Sequence, residues 1–85
     1  MSDLQKKFEE ASAAVKKLKE DPGNDVKLQL YALYKQGSEG DVAGKRPGFT
    51  DMIGRAKYDA WAKTKGMTKD EAMKKYVALV KSLTA

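Results

Sequence analysis

Apolar residues recur at the spacing of an α-helix in four segments of this 85-residue chain. The first segment shows the pattern most plainly, because its apolar residues follow at intervals of four, three, four and three, which places them on one side of a helix. No segment carries a credible strand pattern, so the sequence predicts an all-α protein with four helices. The apolar stripe of helix one consists of Leu4, Phe8, Ala11, Val15 and Leu18.

Local signals predict the bounds of the first two helices. Ser2 is predicted to be the N-cap of helix one, with Gln5 three residues later as in a capping box. Pro22-Gly23 is predicted to end this helix, because proline cannot continue the hydrogen-bond ladder. Asn24 is predicted to cap helix two. The core side of helix two is predicted to carry Val26, Leu30, Leu33 and Gly37.

The segment from Gly37 to Gly48 is predicted to be a long loop, since it contains four of the seven glycines and no sustained period. Loops of this length are often functional. The segment has no Walker spacing, so we expect any phosphate to be bound by side chains.

The last two helices are predicted from their start and stop signals. Thr50 or Asp51 starts helix three, and Gly66 stops it. Thr68 followed by Glu71 is a capping box that opens helix four. One side of helix three carries Ile53, Ala56, Ala60 and Trp61, with Trp61 expected in the core. The apolar face of helix four consists of Ala72, Met73, Tyr76, Val77, Val80 and Leu83.

The composition limits the chemistry available to the chain. We expect residues 1–85 to form a single domain, because separate cores need on the order of 100 residues each. The sequence contains no cysteine and no histidine, which removes the thiolate nucleophile, the usual general base and the commonest metal ligand. Asp41, Asp51 and Asp59 are not spaced as a calcium loop, and no acid and base pair stands out. We therefore expect neither an enzyme nor a metal site.

The charge favours anionic partners without choosing among them. Seventeen lysines and arginines against twelve acids give a formal net charge of +5, which leaves nucleic acid, anionic lipid and phosphorylated metabolites open, or simply solvated helix faces. Residues 1–30 lack the apolar stretch of a signal peptide, and no window resembles a membrane span. With no cysteine to form disulfides, we expect a cytoplasmic location.

Helix two carries aromatic rings beside a cation. Tyr31 and Lys35 are one turn apart, and Tyr34 lies about 60° to one side, so the rings and the ammonium are predicted to form one patch. Such a patch suits a nucleotide, because a ring stacks on a base while a lysine meets a phosphate. The alternative is that the tyrosines edge the core and the lysine is merely solvated. Leu28 lies near this face, which indicates an amphipathic ligand or an isolated exposed leucine.

Five short motifs resemble those of the acyl-CoA-binding protein family, in the family's order and spacing. The resemblance covers essentially the whole chain, and five motifs in register are far more specific than any one of them. The motifs are Tyr31-x-x-Tyr34-Lys35-Gln36, Gly40-Asp41, Arg46-Pro47-Gly48, Lys57-x-x-Ala60-Trp61 and Asp70-x-Ala72-Met73-Lys74-x-Tyr76.

The resemblance implies a four-helix bundle of up-down-down-up topology that binds long-chain fatty acyl-CoA as a non-enzymatic carrier, without a cofactor. It also implies how the CoA head group is held. Tyr34 would contact the adenine ring, while Tyr31 and Lys35 would contact the 3′-phosphate of the ribose. Lys57 would lie at the phosphate and base region, and Tyr76 would close the nucleotide side.

Helix one is implied to serve both parts of the ligand. Lys16 would attract a phosphate of the head group. Phe8, Ala11 and Ser12, together with Leu28 on helix two, are candidates for a groove that takes the acyl chain. Helix packing explains Phe8 and Ala11 equally well.

Four places depart from the common family pattern. Ile53 stands where lysine is frequent, Tyr58 where tryptophan is frequent and Lys27 where an apolar residue is frequent. Lys19-Glu20-Asp21 replaces a more proline-rich exit from helix one. Isoleucine at position 53 supplies no cation for a phosphate contact there, and the departures at Lys27 and Tyr58 leave the preferred acyl chain open.

The sequence therefore predicts a monomeric carrier and buffer that shields long-chain acyl-CoA and meets acyl-CoA-using enzymes transiently. We expect no nucleic-acid partner and at most transient membrane contact. The first alternative is a small basic helical module that binds nucleic acid or an anionic membrane surface, since such binding needs only cations and stacking aromatics. The second is an enzyme acting on CoA esters.

Overall fold

The computed structural model describes residues 3–84, which form four α-helices and no strand. The all-α prediction is therefore confirmed. Ser2 lies outside the described residues, so its role as an N-cap stays a prediction. The helices are α1 (Asp3–Val15), α2 (Asn24–Glu39), α3 (Met52–Ala62) and α4 (Lys69–Thr84).

Contacts near the helix ends define the topology. Helix α4 packs against α1 and α2, and α3 packs against α2. A Cβ added to Gly37, near the end of α2, would lie 3.2 Å from both Phe8 in α1 and Met73 at the start of α4. The indole nitrogen of Trp61 donates to the Gly40 carbonyl at 2.8 Å, which joins the ends of α3 and α2. Gln5, near the start of α1, lines one cavity with Ser38, near the end of α2. Helices α2 and α3 therefore run in the same direction, opposite to α1 and α4.

The core lies where α1, α2 and α4 meet. Phe8 and Tyr76 pack edge to face with ring centroids 5.1 Å apart, and burying such a side chain contributes roughly 1.5–3 kcal/mol. The predicted stripes of α1, α2 and α4 each supply residues to this cluster, while the Trp61 side chain is buried where α3 meets α2, as predicted. The buried members are Phe8, Ala11, Leu30, Tyr76 and Val80.

The starts of α3 and α4 agree with the predicted caps. The Asp51 carboxylate accepts a hydrogen bond from the backbone N–H of Gly54 at 2.9 Å, which selects Asp51 over Thr50 as the N-cap. The Thr68 hydroxyl accepts from the backbone N–H of Glu71 and also donates to the Glu71 carboxylate, both at 3.1 Å. Each cap satisfies a backbone donor that a helix start leaves without a partner.

The predicted end of helix one is wrong, because α1 stops at Val15 rather than at Pro22-Gly23. Two bonds of the tighter i to i+3 type close its last turn, from Lys17 N to Ala14 O at 3.0 Å and from Leu18 N to Val15 O at 3.4 Å. Such bonds commonly end an α-helix. Leu18 fits the helical stripe by spacing, yet it lies half-buried in the connection after the helix.

The predicted cap of helix two is also wrong. Asn24 is the first helical residue, and Gly23 occupies the N-cap with a φ of 95°, a conformation that favours glycine. The Asp21 carboxylate accepts from the Gly23 N–H at 2.8 Å and pairs with Lys27 at 2.6 Å. The connection is thus fixed by Asp21 rather than by an asparagine side chain.

The long loop begins later than predicted, since α2 continues through Gly37 to Glu39 and ends at the Gly40 cap. Side chains of α3 hold this loop in place. The Tyr58 hydroxyl donates to the Gly44 carbonyl at 3.0 Å, and the Arg46 guanidinium makes two bonds to the Asp59 carboxylate at 2.7 and 2.6 Å. The loop is therefore anchored along α3.

The predicted buried side of α3 is only partly right. Ala60 is partly buried beside the buried tryptophan, whereas Ala56 is exposed and the Ile53 side chain is 74% exposed. Helix α3 packs against α2, and Trp61 near its C-terminal end bonds to the end of α2, whereas Met52 and Ile53 in its first turn are exposed.

A buried glutamine ties three segments together. Gln36 is fully buried, and its amide group donates to the Asp41 carboxylate at 2.8 Å and to the Met67 carbonyl at 2.7 Å. Its carbonyl oxygen accepts from the Thr64 hydroxyl at 3.0 Å. The same Asp41 carboxylate accepts from the Gly66 N–H at 2.9 Å. Gln36 thus joins α2, the long loop and the connection between α3 and α4.

We expect the protein to lose stability in acid because its structure holds several carboxylates ionised. The Gly66 N–H, and then Gln36, lower the pKa of Asp41, and the Arg46 guanidinium lowers the pKa of Asp59. A lowered pKa stabilises the fold above the unfolded value of about 3.9, and this contribution is lost as the pH falls through the folded pKa. Urea unfolding at pH 7, 5, 4 and 3 should show a steady midpoint down to pH 5 and a fall below pH 4.

The variant Asp41→Asn tests the assignment of this effect. It should flatten part of the fall below pH 4, because it removes one of the groups that must be protonated. A fall of unchanged steepness in Asp41→Asn would contradict a role for this carboxylate.

Candidate functional site

A cavity of about 240 Å³, which we call the tyrosine cavity, opens between α1, α2 and α4. It brings together four of the six residues predicted for the head group, namely Lys16, Tyr31, Tyr34 and Tyr76. Val15 and Leu30 line it as well, although the sequence predicted them only as core residues. Their positions in the sequence could have indicated that they line the cavity, since Val15 directly precedes Lys16 and Leu30 directly precedes Tyr31. The complete lining is Ser12, Val15, Lys16, Leu30, Tyr31, Tyr34 and Tyr76.

Two of the cavity tyrosines are supported from behind by an aromatic core residue. The Tyr34 ring stacks on Phe8 with centroids 5.3 Å apart and an interplanar angle of 23°, and it lies 5.9 Å from the Tyr76 ring. Tyr34 is 42% exposed, whereas Tyr76 is only 3% exposed. An exposed ring held in a fixed orientation by packing offers a stacking surface to a flat aromatic group.

The hydroxyls of the cavity tyrosines have no partner within the described part of the chain. Neither Tyr31, Tyr34 nor Tyr76 forms a side-chain hydrogen bond to another residue among 3–84, whereas the Tyr58 hydroxyl is used to hold the loop. Burial, and then the nearby Tyr34, raise the pKa of Tyr76, so its phenol stays neutral. A neutral phenol can donate a hydrogen bond to an anion.

The lysines around the site have different surroundings. The Lys57 ammonium of α3 lies 5.4 Å from the centroid of the Tyr31 ring, which brings a cation next to the cavity. The Lys35 ammonium instead pairs with Glu39 and lies 5.1 Å from the centroid of the Trp61 ring. Its hydrogen bond to Glu39 raises the pKa of Lys35, which therefore stays charged.

Two of these cations are free to meet a ligand. Within residues 3–84 neither Lys16 nor Lys57 forms an ion pair, and both side chains are exposed. A phosphate reaching the cavity would therefore find Lys16, directly after α1, and Lys57 of α3 without displacing a carboxylate. At Lys35 it would compete with Glu39.

The four residues predicted for an acyl-chain groove do not lie in one place. Phe8 and Ala11 belong to the core, with 5% and 7% exposure. Ser12 borders the tyrosine cavity and also a neighbouring cavity of about 320 Å³, which Phe8 lines too. Leu28 lines a third cavity, of about 690 Å³, whose walls include Ala32 of α2 and Ala60 of α3.

The part of the chain that the structure describes contains no cluster of three histidine, cysteine or acidic side chains arranged for a metal ion. None of the helices in residues 3–84 combines the length and the apolar character needed to cross a membrane.

Comparison with known proteins gives consistent matches. The sequence model of the family described as "Acyl CoA binding protein" matches residues 5–80. The chain is 53% identical over 78 residues to acyl-CoA-binding protein homolog 1 of Caenorhabditis elegans, with 92% of this chain and 91% of the relative covered. It is 51% identical over 84 residues to human enoyl-CoA delta isomerase 2, of which it spans only 21% while 99% of this chain is covered.

The fold matches a solved structure equally well. The crystal structure of Oryza sativa acyl-CoA-binding protein 2 superposes with a TM-score of 0.91 at 43% sequence identity, covering 95% of this chain and 90% of that one. The predicted four-helix architecture of this type is therefore confirmed.

Proposed function

Because the chain belongs to the acyl-CoA-binding protein family, we propose that it binds long-chain fatty acyl-CoA esters and carries them without changing them. The tyrosine cavity would hold the CoA head group, and the acyl chain would lie along the surface. The carrier would keep the thioester away from water and release it to enzymes that use acyl-CoA.

One observation carries this proposal. Three tyrosine hydroxyls without partners in residues 3–84 surround a cavity that also has a lysine at its edge. Unused hydrogen-bonding groups around a partly apolar hollow are typical of a ligand site. The exposed Tyr34 ring, supported by Phe8, suits stacking of the adenine base.

The phosphate of the adenosine ribose would be held by charge. A phosphate monoester carries roughly −1.5 to −2 charges near neutral pH. Lys57, beside the Tyr31 ring, and Lys16, at the cavity edge, supply cations for charge-assisted hydrogen bonds. Lys35 would join them by exchanging its contact with Glu39 for the phosphate.

The acyl chain would add affinity by leaving water. Each methylene withdrawn contributes up to about 0.8 kcal/mol, so a long chain supplies around 10 kcal/mol before ordering costs. Ser12 and Leu28 are the partly exposed groove candidates, whereas the buried Phe8 and Ala11 would act through packing.

Calorimetry with three ligands tests the proposal. We expect palmitoyl-CoA to bind most tightly, and its 3′-dephospho analogue to bind about 10- to 100-fold more weakly, since a hydrogen bond to a charged group is worth about 1.5–3 kcal/mol. A short oligonucleotide is the control for charge alone. Preference for the oligonucleotide would favour a nucleic-acid module instead, and turnover of palmitoyl-CoA would contradict a carrier.

A further inference from the structure

Three large apolar side chains are exposed together around the start of α3. Phe49 is 85% exposed, Met52 is 76% exposed and Ile53 is 74% exposed. The other exposed large apolar side chain among residues 3–84 is Tyr34, which belongs to the tyrosine cavity. Large apolar groups that are exposed side by side commonly mark a surface that meets a partner.

These side chains form one surface with an arginine. The Arg55 guanidinium lies over the Phe49 ring, 4.7 Å from its centroid. Met52 is three residues before Arg55 on α3, so their side chains are neighbours on the helix. Ile53 is exposed on the same first turn, about 100° around the helix from Met52. We call this surface the α3 patch; it consists of Phe49, Met52, Ile53 and Arg55.

The surroundings of the α3 patch are basic. Residues 45–57 contain four lysines and arginines and a single acid. That acid, Asp51, is engaged as the N-cap of α3, and Arg46 is paired with Asp59. Lys45 and Lys57 form no ion pair with any of residues 3–84. Arg55 also lies near enough to Asp59 to help Arg46 lower the pKa of that carboxyl. The patch therefore presents apolar groups beside two lysines, Lys45 and Lys57, whose charge is not paired within residues 3–84.

We propose that the α3 patch docks the protein onto the surface of an anionic phospholipid bilayer. Phenylalanine, methionine and isoleucine would enter the boundary between headgroups and acyl chains, where apolar side chains are favoured. The arginine and the flanking lysines would meet the lipid phosphates, because basic residues near an anionic leaflet are attracted to it.

The small area of the patch favours a bilayer over a protein partner. A stable protein interface buries about 800 Å² on each partner, more than three side chains supply, whereas a bilayer needs only shallow insertion. Ile53 is one turn before Lys57, whose ammonium covers the Tyr31 ring of the cavity. Docking would thus place the cavity beside the lipid surface, although the docking itself does not depend on the proposed ligand.

Vesicle co-sedimentation without ligand tests the docking. We expect the wild-type chain to bind vesicles of phosphatidylcholine with 30% phosphatidylserine, and to bind pure phosphatidylcholine at least tenfold more weakly. The triple variant Phe49→Ser, Met52→Ser and Ile53→Ser should lose at least tenfold in partitioning to the anionic vesicles. Its melting temperature should stay close to that of the wild type, since the replaced side chains are exposed.

A matched pair of variants separates local charge from total charge. Lys45→Gln with Arg55→Gln should lower partitioning several-fold, whereas Lys74→Gln with Lys75→Gln on α4, which removes the same charge, should change it little. Equal losses in both pairs, undiminished binding of the triple variant, or failure of the wild type to bind would each overturn the proposal.

A second measurement tests whether the α3 patch belongs to the ligand groove instead. In vesicle-free solution the triple variant should bind palmitoyl-CoA as the wild type does. A parallel loss of palmitoyl-CoA affinity would assign the patch to the ligand groove and overturn the docking. If the wild type does not bind palmitoyl-CoA at all, the proposed function fails while the vesicle experiment still decides the docking.

Discussion

Replacing Gln36 by leucine is expected to lower the free energy of unfolding by about 2–3 kcal/mol, because it removes a fully buried amide and leaves its hydrogen-bonding partners without it. The Met67 carbonyl and the Asp41 carboxylate would each lose a hydrogen bond, and the Thr64 hydroxyl would keep only its bond to Trp61. For a domain of this size such a loss lowers the melting temperature by roughly 10–20 °C. Urea and thermal unfolding followed by circular dichroism measure both quantities.

Gln29→Leu is the matched control, since Gln29 lies on the same helix with an exposed side chain. It should change the free energy of unfolding by no more than about 0.5 kcal/mol. Equal stabilities of the two variants would mean that the buried amide contributes nothing beyond its volume.

Replacing Lys57 by alanine is expected to weaken palmitoyl-CoA binding by about 10- to 100-fold, as befits the loss of a charge-assisted hydrogen bond of about 1.5–3 kcal/mol. The fold should persist, because the exposed Lys57 contributes only a cation–π contact with Tyr31, worth about 0.5–1 kcal/mol. Calorimetric titration together with a thermal melt measures the two effects separately.

Two controls sharpen the result for Lys57. Lys65→Ala removes the same charge just after α3, where the side chain is exposed and lines none of the three cavities described above, and should leave affinity nearly unchanged. The effect of Lys57→Ala should also shrink with the 3′-dephospho ligand. A variant that unfolds while its folded fraction keeps full affinity would instead give Lys57 a structural role.

The structure follows the sequence most closely where the deciding contacts are local. Asp51 and Thr68 start α3 and α4 as predicted, since each cap bonds to a residue three positions later. The end of α1 was missed because Leu18 continues the helical spacing, while the chain turns through tighter bonds. Spacing reports which face a residue would occupy in a helix, but it does not report where the helix stops.

Contacts between distant segments were not predictable in this way. Gln36 was identified only as part of a motif, and its partners Thr64 and Met67 lie 28 and 31 residues further along the chain. Some residues of the five family motifs therefore hold the fold together. Arg46, for example, anchors the loop to α3 through Asp59. The family motifs thus mix residues that hold the fold with residues that face the cavity.

The site was predicted in part for the same reason. A helical wheel puts Tyr31 and Lys35 on one side of α2 and predicts one patch, but the direction of a long side chain depends on its neighbours. Glu39, one turn after Lys35, draws that ammonium toward itself, while Lys57 from another helix takes the place beside Tyr31. The acid four residues after Lys35 was the available signal for the first of these contacts.

Helix α3 packs mainly against a single neighbour, and it carries both the loop anchors and Lys57. A segment with so few supporting contacts opens locally at a lower free energy than a core helix does. Its backbone amides should therefore exchange with solvent deuterium sooner than those of α4. A ligand that bridges Lys57 to the other helices would slow this exchange. The exchange rate of the α3 amides would therefore report whether the ligand site is occupied.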